Sequence, residues 1–233
     1  MPNWCYNSEY IVGPKEQVKP LYDKLTKWIH DDVCKNDFHN GWIGNIVAHS
    51  GINGDKEPDS KKYLCRGELE DEFEYEENDT EGIISFSTTT AWGPFPETWG
   101  AVIKKHAPAA RYYYMADEPN MAIYESNDIN HKFFNEEFVV SYGFWNKDTL
   151  PEIYKKEFED AEDGMFWDWD PDEVIGMMER ITGIQIHDYD NDDEIKLLMD
   201  AFERKTVQDL DEDNYINVYK IEYYNPEKVS YEE

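Results

Sequence analysis

The chain has 233 residues, with 52 Asp and Glu against 22 Lys and Arg, a formal net charge of −30 and a pI near 4.4. A folded monomer of this mass exposes roughly 11,000 Å² of surface, about one net negative charge per 370 Å². Nucleic acid and anionic lipid both demand cationic contacts, so direct nucleic-acid binding and polybasic membrane anchoring are excluded. A partner selected by charge carries a basic surface.

Aromatic residues make up 15% of the chain, whereas disordered acidic chains are poor in them; a buried core is expected. Three cysteines, Cys5, Cys34 and Cys65, show no C-x-x-C spacing, which argues against a disulfide framework, a zinc ribbon or an iron–sulfur cluster. The opening MPNWCYNSEY has neither a basic nor an apolar leader region. No apolar run is long enough for a membrane-spanning helix, and a reducing cytoplasm is the expected compartment.

From Trp4 to Val12 the residues favour a strand, stopped by Gly13-Pro14. Val18, Leu21, Tyr22, Leu25, Trp28 and Ile29 recur at helical spacing, so residues 14–30 read as a helix. Pro20 predicts a kink there or a later start. Trp42 to Val47 predicts a short helix or turn, and residues 53–62 a mobile loop. Between 63 and 78, Leu69, Phe73 and Tyr75 fall on odd positions and Glu68, Glu70, Glu72, Glu74 and Glu76 on even ones. Period two predicts a strand with one apolar and one acidic face. After the turn at 78–82, residues 83–92 return as the second arm of a hairpin.

Phe95 to Ala107 reads as a second helix, with Pro96 near its first position. Residues 110–125 read as extended chain broken at Asp117-Glu118-Pro119-Asn120. Strand, helix, hairpin, helix, strand is the βαββαβ order of a ferredoxin-like fold. Beyond it the pattern predicts a strand at 136–142, helices at 150–159, 172–181 and 192–205, and a strand at 215–224. The expected architecture is α+β: a ferredoxin-like antiparallel sheet packed by helices over residues 1–130, with a loop insertion at about 31–62. Residues 131–233 form a mixed α/β C-terminal extension, either separate or continuous with the first sheet.

Three segments carry a resemblance. MPNWCYN opens into a strand ending in Gly13-Pro14, Phe86 to Pro94 places Ala91-Trp92 before a helix, and Glu118-Pro119-Asn120 interrupts the Tyr112–Tyr124 stretch. Together they resemble the YubB-type ferredoxin-like family, found in phages, plasmids and other mobile elements. The resemblance covers residues 2–14 and 84–124 and implies a fold and a mobile-element origin. It implies no reaction, so no catalytic residue is carried over.

The acidic strand is the sharpest functional feature. Every second residue of a strand projects to one face, about 6.6–6.8 Å from the last. Glu68, Glu70, Glu72, Glu74 and Glu76 therefore predict a row of carboxylates, spaced on the order of nucleic-acid phosphates, that binds a basic protein surface. The competing reading is a solvated face whose like charges prevent aggregation.

Trp167 and Trp169 flank an acid and are candidate anchors for a basic partner. Asp168, Asp170, Asp172 and Glu179 fall at calcium-loop positions one, three, five and twelve, but Glu173 replaces the required glycine. Asp170 as N-cap, with Pro171 and Glu173 following, is the simpler account. Asp192 is likewise read as an N-cap, and His30, Cys34 and His39 lack a fourth ligand.

No nucleophile elbow, phosphate loop or H-E-x-x-H motif is present, and no cofactor is implied. The leading expectation is a non-enzymatic, mobile-element-encoded acidic protein that engages a basic, nucleic-acid-binding host protein. The alternatives are a small-molecule or divalent-ion binder with hydrolytic activity, and an accessory protein whose charge confers solubility alone.

Overall fold

The computed structural model describes residues 3–31, 41–52, 63–145, 147–159, 164–166, 169–211 and 213–224. The expected loop at 53–62 lies outside them. The chain forms two compact units, Met1–Phe134 with Glu222–Glu233, and Asn135–Ile221. It is a mixed α/β protein of the α+β type, with six α-helices among the described residues. None of the described helices is long and apolar enough to cross a membrane.

The first unit runs β1 (Trp4–Pro14), α1 (Lys15–Ile29), α2 (Ile43–Ser50), β2 (Gly67–Leu69), β3 (Glu74–Glu77), β4 (Glu81–Ala91), α3 (Pro96–His106), β5 (Arg111–Glu118) and β6 (Ile123–Ser126); β10 (Glu222–Tyr223) joins it last. Its sheet has the order β10-β6-β5-β1-β4-β2, with β3 also paired to β4. Only the β10–β6 pairing is parallel.

β1 and β4 are antiparallel over eleven positions, from Trp4↔Ala91 to Pro14↔Glu81. Alternation along this pair sorts the side chains by face. Ile11, Ile84 and Phe86 meet Val18, Leu21, Leu25 and Ile29 of α1 and Trp99, Val102 and Ile103 of α3 in one core. The helical spacing read in the sequence thus becomes the buried stripe of α1.

α1 continues through Pro20. Pro20 and Glu16 are both exposed, so the carbonyl four residues before the proline, deprived of its donor, meets water instead. At Gly13 an added Cβ would lie 2.7 Å from the Ala110 Cα. Packing against the Ala110 backbone therefore requires a glycine at position 13, while β1 itself continues through Pro14 to the start of α1.

The single strand expected over 63–78 is two. Leu69 pairs with Thr88 and Glu74 with Ser85, so residues 70–73 face residues 86–87, a bulge with two extra residues. The Glu70 N–H donates to the Ser87 carbonyl before the chain departs from the sheet. Phe73 then turns into the core against Phe86. Gly41 and Trp42 occupy the outer edge of β2: the Leu69 N–H donates to the Gly41 carbonyl and Trp42 bridges Glu68.

The second unit contains β7 (Phe138–Phe144), α4 (Glu152–Glu157), β8 (Gly164–Phe166), α5 (Pro171–Thr182), α6 (Asp192–Asp209) and β9 (Asn214–Lys220). β7 is central, antiparallel to β8 and β9. Phe138, Val140, Tyr142 and Phe144 point one way, into a core with Tyr154, Phe158, Val174, Met178, Ile195, Leu198 and Phe202. β8 has no clear sequence signal, being three residues long.

Asp170 caps α5, accepting from the Asp172 N–H at 2.9 Å. The cap of α6 is Asn191 rather than the expected Asp192: its Oδ1 accepts from the N–H groups of Asp193 and Glu194. Asp192 is the first helical residue and pairs with Lys220. Asn191→Ala is expected to cost about 1 kcal/mol in urea denaturation, and Asp192→Ala less, because an ion pair this exposed is worth ~0–1 kcal/mol.

Candidate functional site

The face of the first unit's sheet opposite α1 and α3 is polar, and its rows follow from the registers. Tyr6, Thr89 and Glu68 stand side by side across β1, β4 and β2. Ser8, Ser87 and Glu70 form the next row, Tyr10, Ser85 and Glu74 the next, and Val12, Ile83 and Glu76 the last. Glu72 lies in the bulge between the second and third rows.

All five glutamates are exposed, whereas Phe73 is buried and Leu69 and Tyr75 are half-buried. Two extra residues leave the alternation in phase, so Glu68 and Glu70 share a face with Glu74 and Glu76 across the break in the strand. Seven of the ten residues 68–77 are Asp or Glu, which makes this edge the dense part of the acidic surface. Neighbouring carboxylates about 6.7 Å apart repel by roughly 0.6 kcal/mol in water. Solvent tolerates that cost, and a cation relieves it.

Part of this face is covered. Phe133 stacks on Tyr10 at 4.2 Å and packs on Tyr113 at 5.2 Å, held by Asp128, whose Oδ2 accepts from the N–H groups of Phe133 and Phe134. Towards the bulge no other described residue stacks on the face. A concavity of about 680 Å³ there is lined by Ser8, Glu9, Tyr10, Asp71, Glu72, Glu74, Ser85, Phe86 and Ser87. His30 reaches Glu72 at 3.2 Å.

Beneath the same strands, on the helix side, lies a buried polar network that the sequence reading missed. Glu9 is 2% exposed. Its Oε1 accepts from the Tyr112 hydroxyl at 2.5 Å and its Oε2 from Thr88 Oγ1 at 2.6 Å. Asn7 Nδ2 donates to Thr88 and Thr90, and the Cys5 thiol to Asn7 Oδ1.

Burial pushes the Glu9 carboxyl up to about 8, although Thr88, Tyr112 and Trp99 act in the opposite direction. Burial likewise raises the Cys5 thiol, reinforced by Asp117, Glu125 and Glu118, which makes it a poor nucleophile. The usable signal for this network was parity: Cys5, Asn7 and Glu9 share the face of Ile11, while Tyr6, Ser8 and Tyr10 take the other.

The structure does not bring the remaining nominated residues into this site. Trp167 and Asp168 lie outside the described residues, as do Cys34 and His39. Trp169 is half-buried and stacks on Phe158 in the second unit. Asp170 is engaged as a helix cap, and Glu179 accepts from the Ile186 N–H and the Tyr189 hydroxyl. Asp172 is exposed beside them in the first turn of α5. Among the described residues no group of three or more His, Cys, Asp or Glu side chains is arranged to hold a metal ion.

Among the described residues the exposed tryptophans are elsewhere: Trp145, 88% exposed, and Trp92, 52% exposed. Trp92 has a left-handed backbone, φ 76°, which is strained for an aromatic residue. Its N–H donates to the Asn3 carbonyl, and the Thr90 hydroxyl to that of Gly93, fixing the turn that ends β4. No protein-family model and no curated protein matches the chain.

The buried carboxyl gives a pH signature. A group whose folded pKa is raised adds stability fully present below its unfolded value, near 4.5, and lost as pH rises through about 8. Glu9→Gln is expected to remove that loss. The stability difference between variant and wild type should grow in favour of the variant from pH 4.5 to 8, reach several kcal/mol, and then level off in urea denaturation series.

Proposed function

We propose that this is a non-enzymatic binding protein whose acidic sheet face engages a basic surface on a partner protein. The observation that carries the reading is the placement of Glu68, Glu70, Glu74 and Glu76 on one side of one sheet, with Glu72 in the bulge between them and all five exposed. Across β4 the carboxylates of Glu68, Glu70, Glu74 and Glu76 stand beside Thr89, Ser87, Ser85 and Ile83, none of which carries a charge. A basic partner gains from every pairing there, and its approach is steered by the net charge of −30.

The YubB-type resemblance belongs to the same reading. The path β5-β1-β4-β2, antiparallel throughout, with helices packed on one face, supports a ferredoxin-like core. A mobile-element origin gives such a protein a target in a host nucleic-acid-binding protein, whose phosphate-reading groove the carboxylates would occupy. The support for imitation is their spacing within each strand, about 6.6–6.8 Å. The bulge divides the row into Glu68 with Glu70 and Glu74 with Glu76, so the imitated backbone is bent rather than straight.

The test is capture of a basic protein at low salt and its release as ionic strength rises through the screening range. The triple variant Glu70→Lys, Glu72→Lys, Glu74→Lys should lose the captured protein. A triple reversal of Asp190, Asp193 and Glu203 in the second unit should keep it. Retention by the first variant sinks the proposal.

A further inference from the structure

Resting on the binding reading above, we propose that the partner is received as a β-strand added to the outer edge of β3, an extended segment with Lys or Arg at every second residue. β3 ends the sheet. It pairs with β4, and among the described residues no other backbone group bonds to it. The outer edge of β2 differs, because Gly41 and Trp42 already fill it. An open strand edge is a ready template for another chain.

The side chains select which chain. A strand added to β3 lies about 4.8 Å away, with its side chains opposite those of Glu74 to Glu77 at roughly 5 Å. One parity of the incoming residues meets Glu74 and Glu76, which calls for cations. The other parity lies over Tyr75, half-buried against Tyr22 and Lys19, and over Glu77, whose carboxylate already accepts from the Tyr75 hydroxyl, which suits Thr.

A second copy of this chain is excluded by the same charges, since two β3 edges would set glutamate against glutamate. The device that forbids self-pairing therefore specifies a basic partner. At the Glu74 end, the concavity by Asp71, Glu72, Ser85 and Ser87 has room for a long basic side chain beyond the end of the added strand.

The experiment uses the full chain and synthetic peptides of about eight residues, the length of an ordinary strand. One alternates Lys with Thr, and one has the same composition with all Lys before all Thr. Two more are the alternating peptide N-methylated at the Lys amides or at the Thr amides. In a strand, alternate N–H groups point to opposite edges. One methylation should therefore weaken binding roughly tenfold or more and the other leave it nearly unchanged.

The block peptide should also bind roughly tenfold more weakly than the alternating one. Glu74→Lys with Glu76→Lys should weaken binding to the alternating peptide, and Asp190→Lys with Glu203→Lys, exposed in the second unit, should change it little. Equal effects of the two methylations, or equal binding of block and alternating peptides, overturn strand addition. The acidic-face reading then survives if binding still falls with salt and in the Glu70, Glu72, Glu74 triple variant. Absence of binding by every basic peptide and of basic-protein capture overturns both.

Discussion

The antiparallel pairing of β1 with β4 is the constraint on which the rest of the first unit depends. Eleven paired positions fix the face of every side chain on both strands at once. Ile11, Ile84 and Phe86 are committed to the helices, and Tyr6, Ser8, Ser85 and Ser87 to the other side. β5 on one flank and β2 with β3 on the other inherit that assignment through their registers. A shift by one residue would expose the apolar set and bury the carboxylates, so core packing and surface charge enforce the same alignment.

Glutamate has two opposite roles on these strands, and solvent decides between them. At the edge, water screens each carboxylate, and repulsion costs a fraction of a kcal/mol per neighbour. At Glu9 there is no water to do so, and holding a charge there costs more than holding a proton. The hydroxyls of Tyr112 and Thr88 satisfy both oxygens, so the group fits without a cation beside it. The same side chain is thus solvated at the edge and proton-retaining at Glu9, where burial outweighs the opposing hydrogen bonds.

Sequence legibility followed periodicity. The stripe of α1, the Pro96 start of α3 and the Asp170 cap were readable because each is a local pattern with a local cause. The acidic face was readable because its signal is parity, which the bulge preserves. For the same reason the bulge itself was invisible: even insertions leave alternation intact. Glu9 was hidden among 52 acidic residues, since its environment is assembled from β4, β5 and α3, far away in the chain. The α6 cap was misplaced by one residue because Asn191, Asp192 and Asp193 are all competent caps and geometry alone chooses. β10, two residues long, pairs with β6 of the first unit, and no periodicity marks so short a segment.

The two-residue excess at 70–73 also sets a rule for how this edge can change in length. Removing both extra residues, or adding two more, leaves Glu74 and Glu76 on the face they now occupy and Tyr75 on the core side. Removing or adding one reverses every residue from there to the turn, placing carboxylates over the α1 side of the sheet and Tyr75 in water. The segment can therefore lengthen or shorten in steps of two, and its odd-length variants are the ones selection would remove.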